Sequence, residues 1–216
     1  MTAAFLSFFG LALASGMPIV FVLGLTSMFM ILLLGEPLSV VPHVLYASLN
    51  SFPLMALPFF AISAHFIVCG GTSARLIEAA TAYMGHLPGG LAIVTILTCM
   101  IFAALCGSSS ATALAIGAIT VPAMMRANYA RGYSAAVVAS AGTLGILIPP
   151  SVNFILYGIL AEESIGALFI AGIVPGILLG LTLMLTAVII AIHQGTRGNQ
   201  RASWSQRWDA TVRALP

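Results

Sequence analysis

Residues 106 to 120 of the chain read CGSSSATALAIGAIT, and they lie inside a long apolar run. Between Gly107 and Ala113 the run contains only Gly, Ser, Ala and Thr, which bury little apolar surface and carry several hydroxyl groups. Small residues let helices approach each other closely in a membrane, and glycine also lets a ligand approach the backbone. The segment therefore indicates either a tight helix contact or a binding site.

The composition predicts an all-α integral membrane protein. Of the 216 residues, 61% are hydrophobic and only 6% are charged, whereas soluble domains carry about 25% charged residues. The mean hydropathy is +1.14, and several apolar segments exceed the ~18 residues that indicate a membrane span. A net charge of +2 is too small to indicate nucleic-acid binding. No basic region precedes the first apolar segment, so we expect no cleaved signal peptide.

The cysteines and histidines do not indicate a metal centre. Cys69, Cys99 and Cys106 lie in or beside apolar segments without metal-ligand spacing, and we expect them to be buried thiols. No two of the four histidines stand at i and i+4, the spacing of a zinc-binding helix. We therefore expect no cofactor.

The apolar segments predict four full transmembrane helices. They are Phe5–Leu34, Leu49–Val68, Tyr133–Leu160 and Ile165–Ile192. The first exceeds the ~20 residues of a crossing, so we expect it to tilt or to bend at Gly16-Met17-Pro18. Ser73–Leu87 carries apolar residues on one helical face and predicts an amphipathic helix at the membrane interface. The basic tail with Trp204 and Trp208 predicts a second interfacial helix.

The segment Leu91–Met125 predicts a re-entrant helical hairpin instead of a crossing. It is apolar throughout, but the Gly/Ser stretch divides it into halves that are each shorter than the ~20 residues of a span. Two short apolar helices that meet at such a tip are typical of a hairpin that enters and leaves on one side. The crossing at Tyr133–Leu160 is also interrupted, between Gly142 and Ser151, where two prolines remove backbone N–H groups.

The charged residues support this topology. With one re-entrant hairpin and four crossings, all basic side chains fall on one side of the membrane: Arg75, Arg126, Arg131, Arg197, Arg201, Arg207 and Arg213. Glu36, Glu162 and Glu163 fall on the other side. The positive-inside rule makes the arginine side cytoplasmic, together with both termini. A full crossing at Leu91–Met125 would divide the arginines between the two sides, so the bias favours the hairpin.

Helix breaks inside a bilayer expose backbone groups, which must be buried in protein or line a polar cavity. Freed carbonyls suit Na⁺, and the amides at a helix N-terminus suit an anionic group. The hydroxyls of Ser108, Ser109, Ser110 and Thr112 add oxygen ligands without bringing a charge into the membrane. Two breaks in one apolar domain therefore favour a cation site with an anion beside it, while close helix packing stays the alternative.

Three segments resemble the large membrane subunit of the tripartite ATP-independent periplasmic (TRAP) transporters. They read GHLPGGLAIVTILTCMIFAALCGSSSATALAIGAITVPAM from Gly85 to Met124, RGYSAAVVASAGTLGILIPPSVNFILYG from Arg131 to Gly158, and FIAGIVPGILLG from Phe169 to Gly180. The similarity extends from the first residues to about Ile192. The GTLGILIPPS stretch and its distance from GSSSATA are its most specific part.

The resemblance implies a DctM-like, elevator-type secondary transporter of the bacterial inner membrane that is driven by Na⁺. A periplasmic binding protein would deliver an organic acid, a C4-dicarboxylate or a sialic-acid-like carboxylate, and a small four-helix membrane subunit would brace the large one. The Na⁺ site implied by the resemblance comprises Ser108, Ser110, Gly145, Ile148 and Pro150. The implied substrate-binding residues are Ser109, Thr143, Ser151 and Asn153.

Large subunits of this family are longer and are built as two inverted repeats. This chain contains one hairpin and one broken helix, so we expect a single repeat, the N-terminal half of such a subunit. We expect two N-terminal transmembrane helices (1–72), the interfacial helix (73–88), the hairpin with the broken helix (89–164), a further transmembrane helix (165–193) and a cytoplasmic amphipathic linker (194–216).

Two other functions stay open at this point. A single repeat would also serve as a membrane scaffold that binds the small subunit and transports nothing. An intramembrane serine protease would use one of the tip serines as its nucleophile, which needs a base within hydrogen-bond reach. No GxSxG motif is present, and the nearest histidine within a span, His65, lies on another helix.

The substitution Ser110→Ala separates the three functions. We expect it to abolish Na⁺-dependent uptake, because it removes one oxygen from the implied ion site. It should leave the partner binding of a scaffold intact, and it should not affect a protease unless Ser110 is the nucleophile. Uptake of labelled substrate into membrane vesicles and co-purification with the small subunit measure the difference.

Overall fold

The structure is a computed structural model that describes residues 2–50, 52–193 and 202–214. Within this described part all regular structure is helical, which confirms the expected all-α fold. The helices are α1 (Thr2–Ala14), α2 (Ile19–Leu33), α3 (Val40–Leu49), α4 (Phe52–Cys69), α5 (Thr72–Met84), α6 (Gly90–Cys106), α7 (Ser109–Arg126), α8 (Arg131–Gly142), a 3₁₀ turn (Thr143–Ile146), α9 (Val152–Leu160), α10 (Ile165–His193) and α11 (Trp204–Ala214). Of the predicted linker 194–216, residues 194–201 and 215–216 lie outside the described residues.

The chain forms two compact units, Met1–Leu54 and Met55–Pro216. In the first unit, α1 and α2 fold back on each other, and the rings of Phe8 and Phe29 stack at a centroid distance of 4.3 Å. The prediction of one membrane crossing over Phe5–Leu34 is therefore wrong, because the chain reverses instead of bending. The pattern of apolar residues also does not predict α3.

The reversal lies where the sequence predicts a bend. Gly16 adopts a positive φ of 76°, a conformation that costs glycine little. Pro18 has no N–H with which to continue α1. The expectation of a cytoplasmic N-terminus depends on that crossing, so it loses its support, and the orientation of the later helices stays a prediction.

Helix α6 lies at the centre of the second unit. α5, α7, α8, α10 and the 3₁₀ turn all pack against it, and most of its residues are buried. A helix that is hydrophobic on all sides is typical of such a central position. The fully buried side chains of Phe102, Ile116 and Leu144 belong to one core that joins α6, α7 and the 3₁₀ turn.

The predicted hairpin and broken helix correspond to clear features of this unit. α6 and α7 pack side by side as a helical hairpin, and the chain between them is only Gly107 and Ser108. α8 passes into the 3₁₀ turn and an irregular segment before α9 begins at Val152. The placement of the hairpin and of these helices in a bilayer stays a prediction.

Helix α10 is the one described helix that is long and apolar enough to cross a membrane by itself, and α3 and α4 meet that test only if they count as one span. α10 has 29 residues, which at 1.5 Å per residue is about 43 Å. Gly176 lies against Ile148, and Gly180 lies against Met100. These small residues therefore let neighbouring side chains approach the α10 backbone closely.

The packing of α7 on α8 generates a test of this fold. A Cβ atom placed on Gly117 would lie 3.8 Å from the Cβ of Val138, and the mean Cβ separation in disulfides is about 3.8 Å. In a background without the native cysteines, the pair Gly117→Cys and Val138→Cys should form a disulfide under mild oxidation. A shift in mobility on non-reducing gels measures its formation.

The matched control pairs Val138→Cys with Ile119→Cys. Ile119 lies two residues further along α7, on roughly the opposite side of the helix, and it lines a cavity toward α4. This pair should not cross-link. Equal cross-linking of both pairs would contradict the packing.

Candidate ion and substrate site

The tip of the hairpin is shaped by two residues with different backbone conformations. α6 ends at Cys106, and the positive φ of 61° at the next residue, Gly107, turns the chain sharply. Ser108 is extended and is the N-cap of α7, and its Oγ accepts a hydrogen bond from the Ala111 amide at 3.5 Å. The Ser108 carbonyl accepts bonds from the Thr112 amide at 3.1 Å and from the Thr112 hydroxyl at 2.8 Å. The sequence thus encodes both the turn and the start of α7 locally.

The second break follows from the two prolines. Pro149 and Pro150, joined by a cis peptide bond, have no N–H groups, so the carbonyls of Gly145 and Ile146 lose their helical donors. No backbone amide of the described residues donates to a carbonyl between residues 145 and 150. The broken segment therefore presents a run of free carbonyl oxygens.

The two breaks are in direct contact. The amide of Val152 donates a hydrogen bond of 3.1 Å to the carbonyl of Gly107. A Cβ on Gly145 would lie 2.7 Å from the Ser108 carbonyl oxygen, and a Cβ on Gly107 would lie 2.5 Å from the Pro150 carbonyl oxygen. Contacts this short exclude any side chain at either position. Glycine is therefore required at both for the two backbones to meet.

The structure brings four of the five predicted ion-site residues together. Ser108 lies beside Gly145, Pro150 lies beside the Gly107 turn, and the hydroxyl oxygens of Ser108 and Ser110 are 3.4 Å apart. For Ile148 the predicted ligand is the backbone carbonyl, and its side chain packs against Gly176 of α10.

The predicted substrate residues divide into two pairs. Ser109 and Asn153 line a cavity of about 550 Å³, together with Gly107, Ser108, Ser110, Ala113, Ala139, Ile146 and Val152. Thr143 does not line this cavity, and its hydroxyl donates to the Ser140 carbonyl at 2.7 Å. Ser151 is fully buried, and its hydroxyl has no hydrogen-bond partner among the described residues. A buried hydroxyl without a hydrogen bond is unfavourable unless a ligand or a water molecule bonds to it.

The electrostatics of the cavity come from the backbone. No residue that lines it carries a formal charge, and the described residues contain no cluster of three His, Cys, Asp or Glu side chains suited to a transition metal. α7 and α9 both begin at its wall, and helix N-termini attract anions. The C-terminus of α6 and the free carbonyls provide oxygen atoms for a hard cation.

A larger cavity of about 860 Å³ was not predicted. It lies between α4 and α7 and is lined almost entirely by apolar residues, with His65, Cys106 and Ser108 as its polar members. The contact of His65 is with the Cys69 sulfur, 3.5 Å from Nε2, and not with a serine hydroxyl. No sequence motif marks this cavity, because it arises from how α4 lies beside α7.

Comparison with known proteins identifies the family. The family described as "Tripartite ATP-independent periplasmic transporter, DctM component" matches residues 5–216. The chain belongs to this family. The resemblance inferred from the sequence is thus confirmed.

Several curated relatives are permeases of TRAP transporters. The chain is 44% identical to the isethionate TRAP transporter permease protein DctMQ of Oleidesulfovibrio alaskensis, over 95% of this chain and 34% of that protein. It is 37% identical to the C4-dicarboxylate TRAP transporter large permease protein DctM of Rhodobacter capsulatus, over 94% of this chain and 50% of that protein. It is also 37% identical to the ectoine TRAP transporter large permease protein TeaC of Halomonas elongata, over 79% of this chain and 40% of that protein. The chain thus spans a third to a half of the length of these relatives, in their N-terminal part.

The substitution Gly145→Ala tests the contact between the two breaks. The added methyl group would collide with the Ser108 carbonyl, and overpacking of this kind costs about 1–3 kcal/mol. We expect a lower thermal unfolding midpoint for the detergent-solubilised protein. The control is Gly132→Ala, because a Cβ there has no neighbour within 4 Å. If both variants melted like the unchanged protein, the close approach of Gly145 to Ser108 would be contradicted.

Proposed function

We propose that this chain is a sodium-binding part of a TRAP permease that takes up organic acids. The observation that carries the proposal is the contact of the hairpin tip with the broken helix at Ser108 and Gly145. This contact gathers hydroxyl and carbonyl oxygens at one place, which is the ligand set that an alkali cation prefers. Membership in the family supplies the transport role, and the relatives are permeases rather than enzymes.

The ion would bind between the tip and the broken segment. Its ligands would be the hydroxyls of Ser108 and Ser110 and carbonyls of Gly145, Ile148 and Pro150. None of these groups is charged, so Na⁺ would bring one positive charge into the site. That charge would favour an anionic substrate in the adjoining cavity.

The substrate would bind at the cavity that Ser109 and Asn153 line. The named solutes of the relatives, a C4-dicarboxylate, isethionate and ectoine, differ in size but each carries an acidic group. The N-terminal amides of α7 and α9 would bind that group. Thr143 and Ser151 would contact the substrate only after a rearrangement. The Thr143 hydroxyl is bonded to the Ser140 carbonyl, and the Ser151 side chain is buried.

The proposed membrane topology has three full crossings, α4, α8 with α9, and α10, and a re-entrant hairpin formed by α6 and α7. It places every arginine on the cytoplasmic side, and it places Glu36, Glu162 and Glu163 on the other. The chain would form one repeat of an inverted-repeat elevator in the bacterial inner membrane. A small membrane subunit and a periplasmic binding protein would be its partners.

Sodium binding by the purified chain tests the ion site directly. A ligand that binds only the folded protein stabilises it by about 2.7 kcal/mol at a concentration one hundred times its Kd. We expect a higher melting temperature in NaCl than in KCl at equal ionic strength. Ser108→Ala should abolish this difference, while Ser27→Ala, which removes an exposed hydroxyl on α2, should preserve it.

The difference between the two salts is the informative quantity. Loss of the Ser108 cap alone lowers the stability by about 1 kcal/mol in either salt. An unchanged chain that melts identically in NaCl and KCl would contradict the ion site. That result, with retained binding of a small membrane subunit, would favour a scaffold that does not transport.

A further inference from the structure

Helices α5 and α11 form a pair whose contact orients one arginine. The hydroxyl oxygens of Tyr83 and Thr211 are 2.9 Å apart, which joins the two helices. The guanidinium carbon of Arg207 lies 5.8 Å from the centroid of the Tyr83 ring. Such a cation–π contact holds the guanidinium group in one place and one orientation.

Among the described residues, no acceptor bonds to the Arg207 side chain. Its Nε and Nη2 atoms are covered by protein and make no hydrogen bond within this part of the chain, and no described carboxylate forms an ion pair with it. The remaining nitrogen, Nη1, is not covered in this way. A partly buried guanidinium group without a counter-charge is unfavourable. An external anion that reaches Nη1 would therefore stabilise Arg207.

The neighbouring face of α11 is an exposed apolar stripe. Trp204, Trp208 and Val212 recur at i, i+4 and i+8, so they share one side of the helix. Their exposed fractions are 74%, 62% and 52%, and no described residue covers them. Tryptophan favours the level of the lipid headgroups, where its ring is buried and its N–H meets polar groups.

We propose that the α5–α11 pair is a binding site for anionic phospholipid. The tryptophan stripe lies in the interfacial layer, and Arg207, positioned by Tyr83, binds the headgroup phosphate. Charge complementarity selects the lipid, because seven arginines are predicted on this side of the membrane against only Glu78 and Asp209. Basic residues next to a membrane attract anionic headgroups.

The two tryptophans are the only ones in the chain, so intrinsic tryptophan fluorescence reports on α11 alone. The experiment reconstitutes the full chain into phosphatidylcholine vesicles that contain a minor fraction of lipid with brominated acyl chains. The brominated lipid is either phosphatidylglycerol or phosphatidylcholine at the same mole fraction. Bromine quenches only the tryptophans that it contacts.

We expect stronger quenching by the brominated phosphatidylglycerol. The apparent affinity should exceed that of phosphatidylcholine about fivefold, which corresponds to the ~1 kcal/mol that one arginine gains near an anionic surface. Arg207→Gln should remove this preference, and Arg207→Lys, which keeps the charge without the planar group, should keep part of it. Arg213→Gln is the matched control on the exposed polar face of α11, and it should retain the preference.

Three results would overturn the proposal. Equal quenching by both lipids would show that no anionic headgroup is selected. Equal loss of preference in Arg207→Gln and Arg213→Gln would show a diffuse charge effect instead of a site at Arg207. The absence of quenching by either lipid would show that protein, and not lipid, covers the stripe.

Discussion

The contact between the hairpin tip and the broken helix is the constraint on which the second unit depends. Each break alone would leave backbone polar groups without partners inside an apolar domain, which is unfavourable. By meeting, the breaks satisfy the Gly107 carbonyl through the Val152 amide. They leave the carbonyls of residues 145 to 150 without a backbone donor among the described residues, and Ile146 of this segment lines the cavity that also contains the tip serines. The small residues thus give up apolar burial so that the two backbones can approach each other closely.

The other helices of the second unit hold this contact in position. α6 is packed by five neighbouring elements and contributes the fully buried Phe102 to the core. The 3₁₀ turn contributes the buried Leu144, directly before Gly145, so the core anchors the broken segment at that end. On the far side, Ile148 packs against Gly176 of α10. The break is therefore irregular in its hydrogen bonds but fixed by side-chain packing.

Much of this arrangement could be predicted from the sequence because its causes are local. Pro149 and Pro150 lack N–H groups wherever they occur, and Gly107 adopts a positive φ at little cost. These properties locate both breaks without any knowledge of the tertiary structure. The length and hydropathy of Ile165–Ile192 similarly predict α10. Specific motifs around the breaks identify the family.

Other features could not be predicted because they depend on tertiary contacts. Gly16-Met17-Pro18 indicates a bend, but the stacking of Phe8 on Phe29 decides that the chain reverses. The buried, unpaired hydroxyl of Ser151 and the cavity beside His65 depend on how helices pack. The placement of Arg207 over Tyr83 joins residues that are distant in the sequence.

Hydrogen exchange of individual amides is the sharpest test of whether the two breaks together hold Na⁺. The exchange rates of the purified chain would be compared in NaCl and KCl at the same ionic strength. We expect slower exchange in NaCl both at residues 107–111 and at residues 145–148 and 151–152, with little change in α1 and α2. Identical rates in the two salts, or slower exchange in only one of the two segments, would contradict a shared ion site.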